Sequence, residues 1–335
     1  MTVETKGAPA GSTRRHPEVD WIKAVSAATV VMIHSFPPFP PRSSTVLWQF
    51  GEIMLFAVPG FLFASGFLYA RAGSRDWLPT MGRRLRRLLV PYLGFSLLAQ
   101  VYPLPLEVNS ELSLVEQLFY GAALGPYYYV FVIFWLTLAT PLVARIPRSV
   151  FPAVVVAALI LQWGFQTAVL VSFSPLWWLR NPLHWAATFL MGWWCFEHRQ
   201  TIGSVLQQNR AYWLVSLLGA WLAAQFYLAG AQNGWVMHTV SWLQSYATLG
   251  VILVATIGRS EAPRLVRWLS EASYSIYLSH LFFVGPVLRW LPQGGGWLVG
   301  TRIVAAWAAG MAGGSALLAA GRKFVGRERT RAWLG

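Results

Sequence analysis

Lys23 and His34 stand eleven residues apart in the mostly apolar run DWIKAVSAATVVMIHS, residues 20–35. On a helix that is about three turns, which puts both side chains on nearly one face and roughly 16 Å apart along the axis. Ionisable groups inside an apolar span are costly and point by default to function. An imidazole takes and gives protons near neutral pH, so His34 is the prime candidate for acid–base chemistry. Glu52 falls near the outer end of the next apolar run, at the depth of His34. A carboxylate there could hold the imidazole in one tautomer and stabilise its charged form. It could equally be a hydrated interfacial group, and the residues alone leave both readings open.

Four further groups carry candidate chemistry. GRRLRRLLVPYL, residues 82–93, is read as a loop with four arginines in five positions, Arg83, Arg84, Arg86 and Arg87. Guanidinium forks suit phosphates; on charge alone, a topogenic, lipid-binding cluster is the simpler account. Gly125-Pro126-Tyr127-Tyr128-Tyr129 is either part of an interfacial aromatic belt or the lining of a sugar-binding mouth. In EASYSIYLSH, residues 271–280, Ser273, Tyr277 and His280 recur at helical spacing and form one polar face. Such a face is helix glue or a site, and for His280, as for His184, a hydrogen bond to a neighbouring helix is the simpler reading. Gly310 and Gly314 form a GxxxG packing pattern.

Several fingerprints are missing: no GxGxxG follows a strand, and there is no P-loop and no HExxH. The single Cys195 excludes an intrachain disulfide and a multi-cysteine metal site, so no metal and no cofactor is expected.

The elements that position these groups are membrane helices. Of the 335 residues, 56% are hydrophobic and 11% charged, against about 25% charged in a soluble domain. Mean hydropathy is +0.48. Ten apolar segments can be read, about 20–36, 46–70, 88–106, 124–144, 149–171, 183–197, 211–230, 235–257, 270–291 and 297–320. Most reach the ~20 residues that a spanning helix needs. The segment at 183–197 is the shortest, and a re-entrant or tilted course is its alternative. The expected fold is therefore all-α, a polytopic bundle of about ten transmembrane helices.

Charge sets the orientation. With the N-terminus inside, all but five of the 26 Lys and Arg fall at the inner face. Arg42, Arg180, Arg289 and Arg302 lie outside, and Lys23 lies at the inner end of the first span. This asymmetry predicts an inner-membrane, multi-pass protein with both termini cytoplasmic. It also accounts for the net charge of +14 without nucleic acid. The acidic stretch 105–122, with Glu107, Glu111 and Glu116, fits an outer loop. The expected organisation is a disordered tail at 1–18, a transmembrane domain at 19–321 and a basic tail at 322–335. The basic start could instead open a cleaved signal peptide, but His34 inside the apolar run and PPFPP after it make a poor cleavage region.

Four of these stretches, in order, resemble acyltransferase family 3 membrane proteins, which acylate surface polysaccharides, lipid-linked sugars and some small metabolites. In VDWIKAVSAATVVMIH, Lys23 and His34 match the family's Arg-or-Lys, ten residues, His pattern. VPGFLFASGFLYAR, residues 58–71, is similar to its FFxxSGF segment, and Arg84 and Arg87 match its RxxR motif. The fourth is SYSIYLSH, residues 273–280. Each motif is loose; the ordered set spans nearly the whole chain.

The resemblance implies an O-acyltransferase that takes an acyl group, acetyl by preference, from cytoplasmic acyl-CoA to a hydroxyl of a sugar, glycan or lipid-linked acceptor. It implies His34 as the catalytic residue and Lys23, Arg84 and Arg87 as donor-binding residues; Glu52 joins His34 as a catalytic candidate by its depth alone. Tyr127, Tyr128, Tyr277 and His280 are then acceptor or structural-polar candidates. The family often has Arg at the position of Lys23, and an ammonium lacks the guanidinium fork. Many relatives add an extracellular hydrolase-like domain, which has no counterpart after the tenth segment, so the bundle itself would handle the acceptor. The alternative is a transporter or flippase for an anionic or lipid-linked substrate. The sequence lacks the matching broken helices in two related halves that many transporters show.

Overall fold

A computed structural model describes residues 15–36, 51–71, 77–102, 111–172, 175–230, 234–291, 297–327 and 329–330. The extreme tails, PPFPP, Arg42, Glu107 and Gly294–Gly296 lie outside the described residues. Every regular element among the described residues is helical. The helices are α1 (Pro17–Ser35), α2 (Ala57–Arg71), α3 (Trp77–Val101), α4 (Leu114–Tyr120) and α5 (Tyr128–Val143). They continue as α6 (Phe151–Ser172), α7 (Pro175–Arg180), α8 (Pro182–Glu197), α9 (Arg199–Gln208) and α10 (Arg210–Gly230). The last three are α11 (Gly234–Thr256), α12 (Arg264–Trp290) and α13 (Trp297–Phe324).

The described residues of each of the ten apolar segments are mostly helical. Five helical stretches are long and apolar enough to cross a bilayer by length and composition: Gly51–Arg71, Gly125–Val143, Arg210–Leu228, Val236–Thr256 and Trp297–Phe324. The chain is a membrane protein on this pattern. α1 and α12 are set apart from those five by their polar residues: α1 holds Glu18, Asp20, Lys23 and His34, and α12 carries the serine-rich face.

One local expectation changes. The arginine-rich stretch 82–93 is no loop, because α3 runs through it from Trp77. Arginine is a good helix former, and Gly82 alone does not break the helix. The helix that begins at Gly51 breaks at Leu55–Phe56, and Pro59 lies in the first turn of the restarted α2, where it opposes no hydrogen bond. The short α4 is an addition to the expected elements. Its Ser113 cap and Glu116 form a reciprocal capping box, and Ser113 holds the Glu116 carboxyl below its ordinary pKa.

α1 is the hub, packed against α2, α11, α12 and α13. α12 packs along α13 and α1, while α8 is enclosed by α2 and α6. Three contacts have backbone touching a neighbour. A Cβ on Gly66 of α2 would lie 1.9 Å from the Phe189 carbonyl oxygen of α8, and one on Gly192 would lie 2.0 Å from that of Phe63. A Cβ on Gly314 of α13 would lie 2.5 Å from the Ile276 Cα of α12, so the GxxxG is a packing face.

The two ends of the described chain meet. Arg15, just ahead of α1, and Arg322, near the end of α13, both hold Glu271 of α12, at 2.8 and 2.7 Å. Burial alone would lower the Arg15 pKa, but Glu271 and Asp20 raise it on balance. The start of α1 and the end of α13 thus lie at one end of the bundle.

Candidate active site

At that end, α1, α2, α3, α5 and α12 enclose a cavity of about 220 Å³. Lys23, Arg84 and Arg87 all line it, although they come from two helices more than sixty residues apart. Asp20, one turn before Lys23, is already engaged by Arg15 at 3.3 Å and by the Ser270 hydroxyl at 2.6 Å. Among the described residues Lys23 forms no ion pair, so its charge is left to the cavity. Arg84 is aimed by its surroundings. Its guanidinium lies over the Tyr69 ring, 3.7 Å from the centroid, and donates to the Leu68 carbonyl at 3.3 Å. Tyr69 is itself hydrogen-bonded to Thr137 of α5 at 3.0 Å. The cavity therefore brings three cations together, and the one carboxylate in its lining, Glu271, is already held by Arg15 and Arg322.

The inner wall of the chamber is aromatic. Phe61, Tyr129 and Tyr277 line it and pack edge-on or tilted, with ring centroids 5.2 to 5.9 Å apart. Tyr277 donates to the Pro126 carbonyl, and Tyr127 donates to the Leu278 carbonyl at 2.6 Å. These reciprocal bonds clamp the turn before α5 onto α12. Tyr127 is fully buried, and Tyr128 stacks on Trp185 of α8 with centroids 5.9 Å apart. Tyr127 is thus placed inside the bundle, and Tyr128 is half-buried against α8.

Beyond Tyr277 lies His280, and beyond it His34. Ring centroids are 6.2 Å apart for Tyr277 and His280, and 5.1 Å for His280 and His34. Lys23 and His34 keep the axial separation that the spacing predicts, one at the cavity and one past its inner wall. Glu52 accepts a hydrogen bond from Ser241 of α11. The ring that the structure sets against His34 is that of His280.

Ser65, Tyr69 and Tyr274 also line the cavity and were not singled out from sequence. Ser65 and Tyr69 are one helical turn apart on α2, and Tyr274 lies one turn before Leu278 on α12. That spacing is the signal that could have found them, but it does not separate a cavity wall from a helix interface. Tyr274 also fixes α3, through its hydroxyl to the Leu88 carbonyl at 2.6 Å. Among the described residues no cluster of His, Cys, Asp and Glu could hold a metal.

The chain matches no curated protein and no solved structure. A family model, described as an acyltransferase domain, matches residues 16–320. That span holds the cavity, its three cations and both histidines, and it leaves the transporter alternative without support. The chain belongs to the acyltransferase family 3 of membrane proteins.

Proposed function

We propose that this protein carries an acyl group, acetyl by preference, from cytoplasmic acyl-CoA to a hydroxyl of a sugar, glycan or lipid-linked acceptor at the outer face of the inner membrane. The observation that carries the reading is the gathering of Lys23, Arg84 and Arg87 around one cavity whose inner wall, at Tyr277, leads on to His280 and His34. Ten crossings and cytoplasmic ends belong to the same proposal. The carboxylate of Glu271, shared by the two ends of the chain, supports an even number of crossings.

In this mechanism the arginines hold the donor's phosphates and the acyl-bearing arm enters along the cavity. His34 takes the proton of the acceptor hydroxyl, whose oxygen attacks the thioester carbonyl. The carbon–sulfur bond breaks and the thiolate takes that proton back, giving ester and free thiol. An imidazole that attacks first, to give a transient acyl-histidine, is the variant of the same scheme. Glu52, held by Ser241, supplies negative charge near the acceptor side.

Arg84→Ala and Arg87→Ala should each raise the KM for acetyl-CoA roughly tenfold, with a smaller fall in kcat. A contact to phosphates far from the thioester serves ground and transition states alike. A purely topogenic role predicts misinsertion or no change, without selective loss of donor affinity.

Sidedness tests the whole proposal. In sealed proteoliposomes of known orientation, radiolabelled acetyl-CoA is placed only on the cytoplasmic side and a panel of envelope glycans only on the other. Labelled glycan should form on the far side. Product that forms only when both substrates share a compartment would overturn the transmembrane relay.

A further inference from the structure

α12 carries a long row of polar side chains, and nearly all are spent on carbonyls. Ser273 donates to Ser270, Ser275 to Gly314, Ser279 to Ser275, Tyr274 to Leu88 and Tyr277 to Pro126. One polar atom in the row has no partner: Nε2 of His280, on a residue with 0% exposure. Its other nitrogen, Nδ1, lies 2.7 Å from the Tyr277 carbonyl. A carbonyl oxygen only accepts, so Nδ1 carries the proton and Nε2 presents a bare lone pair. A buried acceptor left unmatched costs about 1–3 kcal/mol, so its persistence calls for a donor. The Tyr277 hydroxyl is occupied by Pro126, whereas the His34 ring is 5.1 Å away, centroid to centroid.

We infer that His280 is the positioning residue of the acyl transfer. Its Nε2 receives the N–H of His34, directly or through one water, and so fixes which His34 nitrogen faces the acceptor as the free base. The inference rests on the reading of His34 as that base. His280 neither gains nor loses a proton: the acceptor proton goes to His34 and then to the departing thiolate. It occupies the place a carboxylate takes in a serine-type triad. A neutral imidazole suits an apolar layer, where an unpaired carboxylate would be far more costly.

The surroundings hold the pair in register. A Cβ on Gly310 of α13 would lie 2.5 Å from Val31 Cγ1, 2.9 Å from Val284 Cγ2 and 3.5 Å from His280 Cβ. The glycine lets α13 approach Val31 of α1 and Val284 and His280 of α12 this closely. Tyr277, whose carbonyl orients His280, also forms the inner wall of the donor cavity.

The direct test is nitrogen NMR of ¹⁵N-histidine-labelled protein in lipid nanodiscs, with the His280 signals assigned from their loss in His280→Gln. The expected spectrum shows His280 protonated at Nδ1 and bare at Nε2. A proton on Nε2 would overturn the inference. The second test compares kcat, read as thiol release from acetyl-CoA with mixed envelope glycans. His280→Gln keeps an acceptor near the Nε2 position and should retain more activity than His280→Phe, which should fall roughly a hundredfold, the scale of a lost acid–base contribution. Neither should change the KM for acetyl-CoA. Equal losses in the two variants, or a shifted donor KM, would reduce His280 to a packing residue. Full activity in His34→Ala would instead remove the base reading while leaving the tautomer measurement valid.

Discussion

His34→Ala is expected to lower acyl transfer at least about a hundredfold, with the protein still inserted and folded. General acid–base catalysis contributes typically 10²–10⁴-fold, and the imidazole set against His34, that of His280, has its Nδ1 committed to a carbonyl. Folding should survive, because the substitution removes a polar group from the membrane layer and leaves the apolar packing of Val30 and Val31 in place. Product formation and the melting temperature are read on the same preparation. Activity within a few-fold of the parent would end the catalytic reading. Glu52→Gln separates charge from shape at the neighbouring carboxylate. It should lower kcat and move the acidic limb of the pH profile while leaving the acetyl-CoA KM in place; an unmoved profile makes Glu52 a structural partner of Ser241.

The second large effect is one of stability. Gly66→Ala should cost about 3 kcal/mol or more, because the new methyl would lie 1.9 Å from a backbone oxygen that cannot rotate away. Overpacking against movable side chains costs typically about 1–3 kcal/mol, and an immovable obstacle belongs at the upper end of that range or beyond. Gly192→Ala should behave alike, since the contact is reciprocal. The double variant should cost less than the two losses added together: once either methyl has parted α2 from α8, the other finds room. Melting temperatures of the three variants in detergent check this. Single variants that melt within about two degrees of the parent would show that the helices are not in backbone contact. Activity should fall with stability, because α2 carries Phe61, Ser65 and Tyr69 to the cavity.

The helices were legible because a bilayer demands long apolar runs, and the described residues of each run are mostly helical. The arginine cluster was misplaced in a loop because charge marks the membrane surface, while helix propensity continues past it. Lys23 and His34 were legible from spacing alone. Their neighbours were not: a period of 3.6 tells which residues share a face, but not which helix that face meets. Hence Arg84 could be tied to Lys23 only through the family's motifs, and the partner of His34 was sought on the next helix in sequence. The ring set against His34 comes from α12, some 250 residues downstream, a proximity that no local pattern encodes. His280 was read as a histidine bonded to a neighbouring helix, and its free Nε2 becomes visible only when every other polar atom of α12 is accounted for.

The meeting of α1 with α12 and α13 has a consequence for biogenesis. Roughly 230 residues separate Ser35 from Arg264. At about 5–20 residues per second, the first helix waits on the order of 10 to 50 s for its final partners to be made. Throughout that interval Asp20 lacks Ser270 and His34 lacks His280. The insertion machinery must therefore shelter a helix that carries a carboxylate, an ammonium and an imidazole, or lipid must hold it near the surface. A nascent chain stopped before α13 holds every donor-binding cation but lacks the helix whose Gly310 packs against His280.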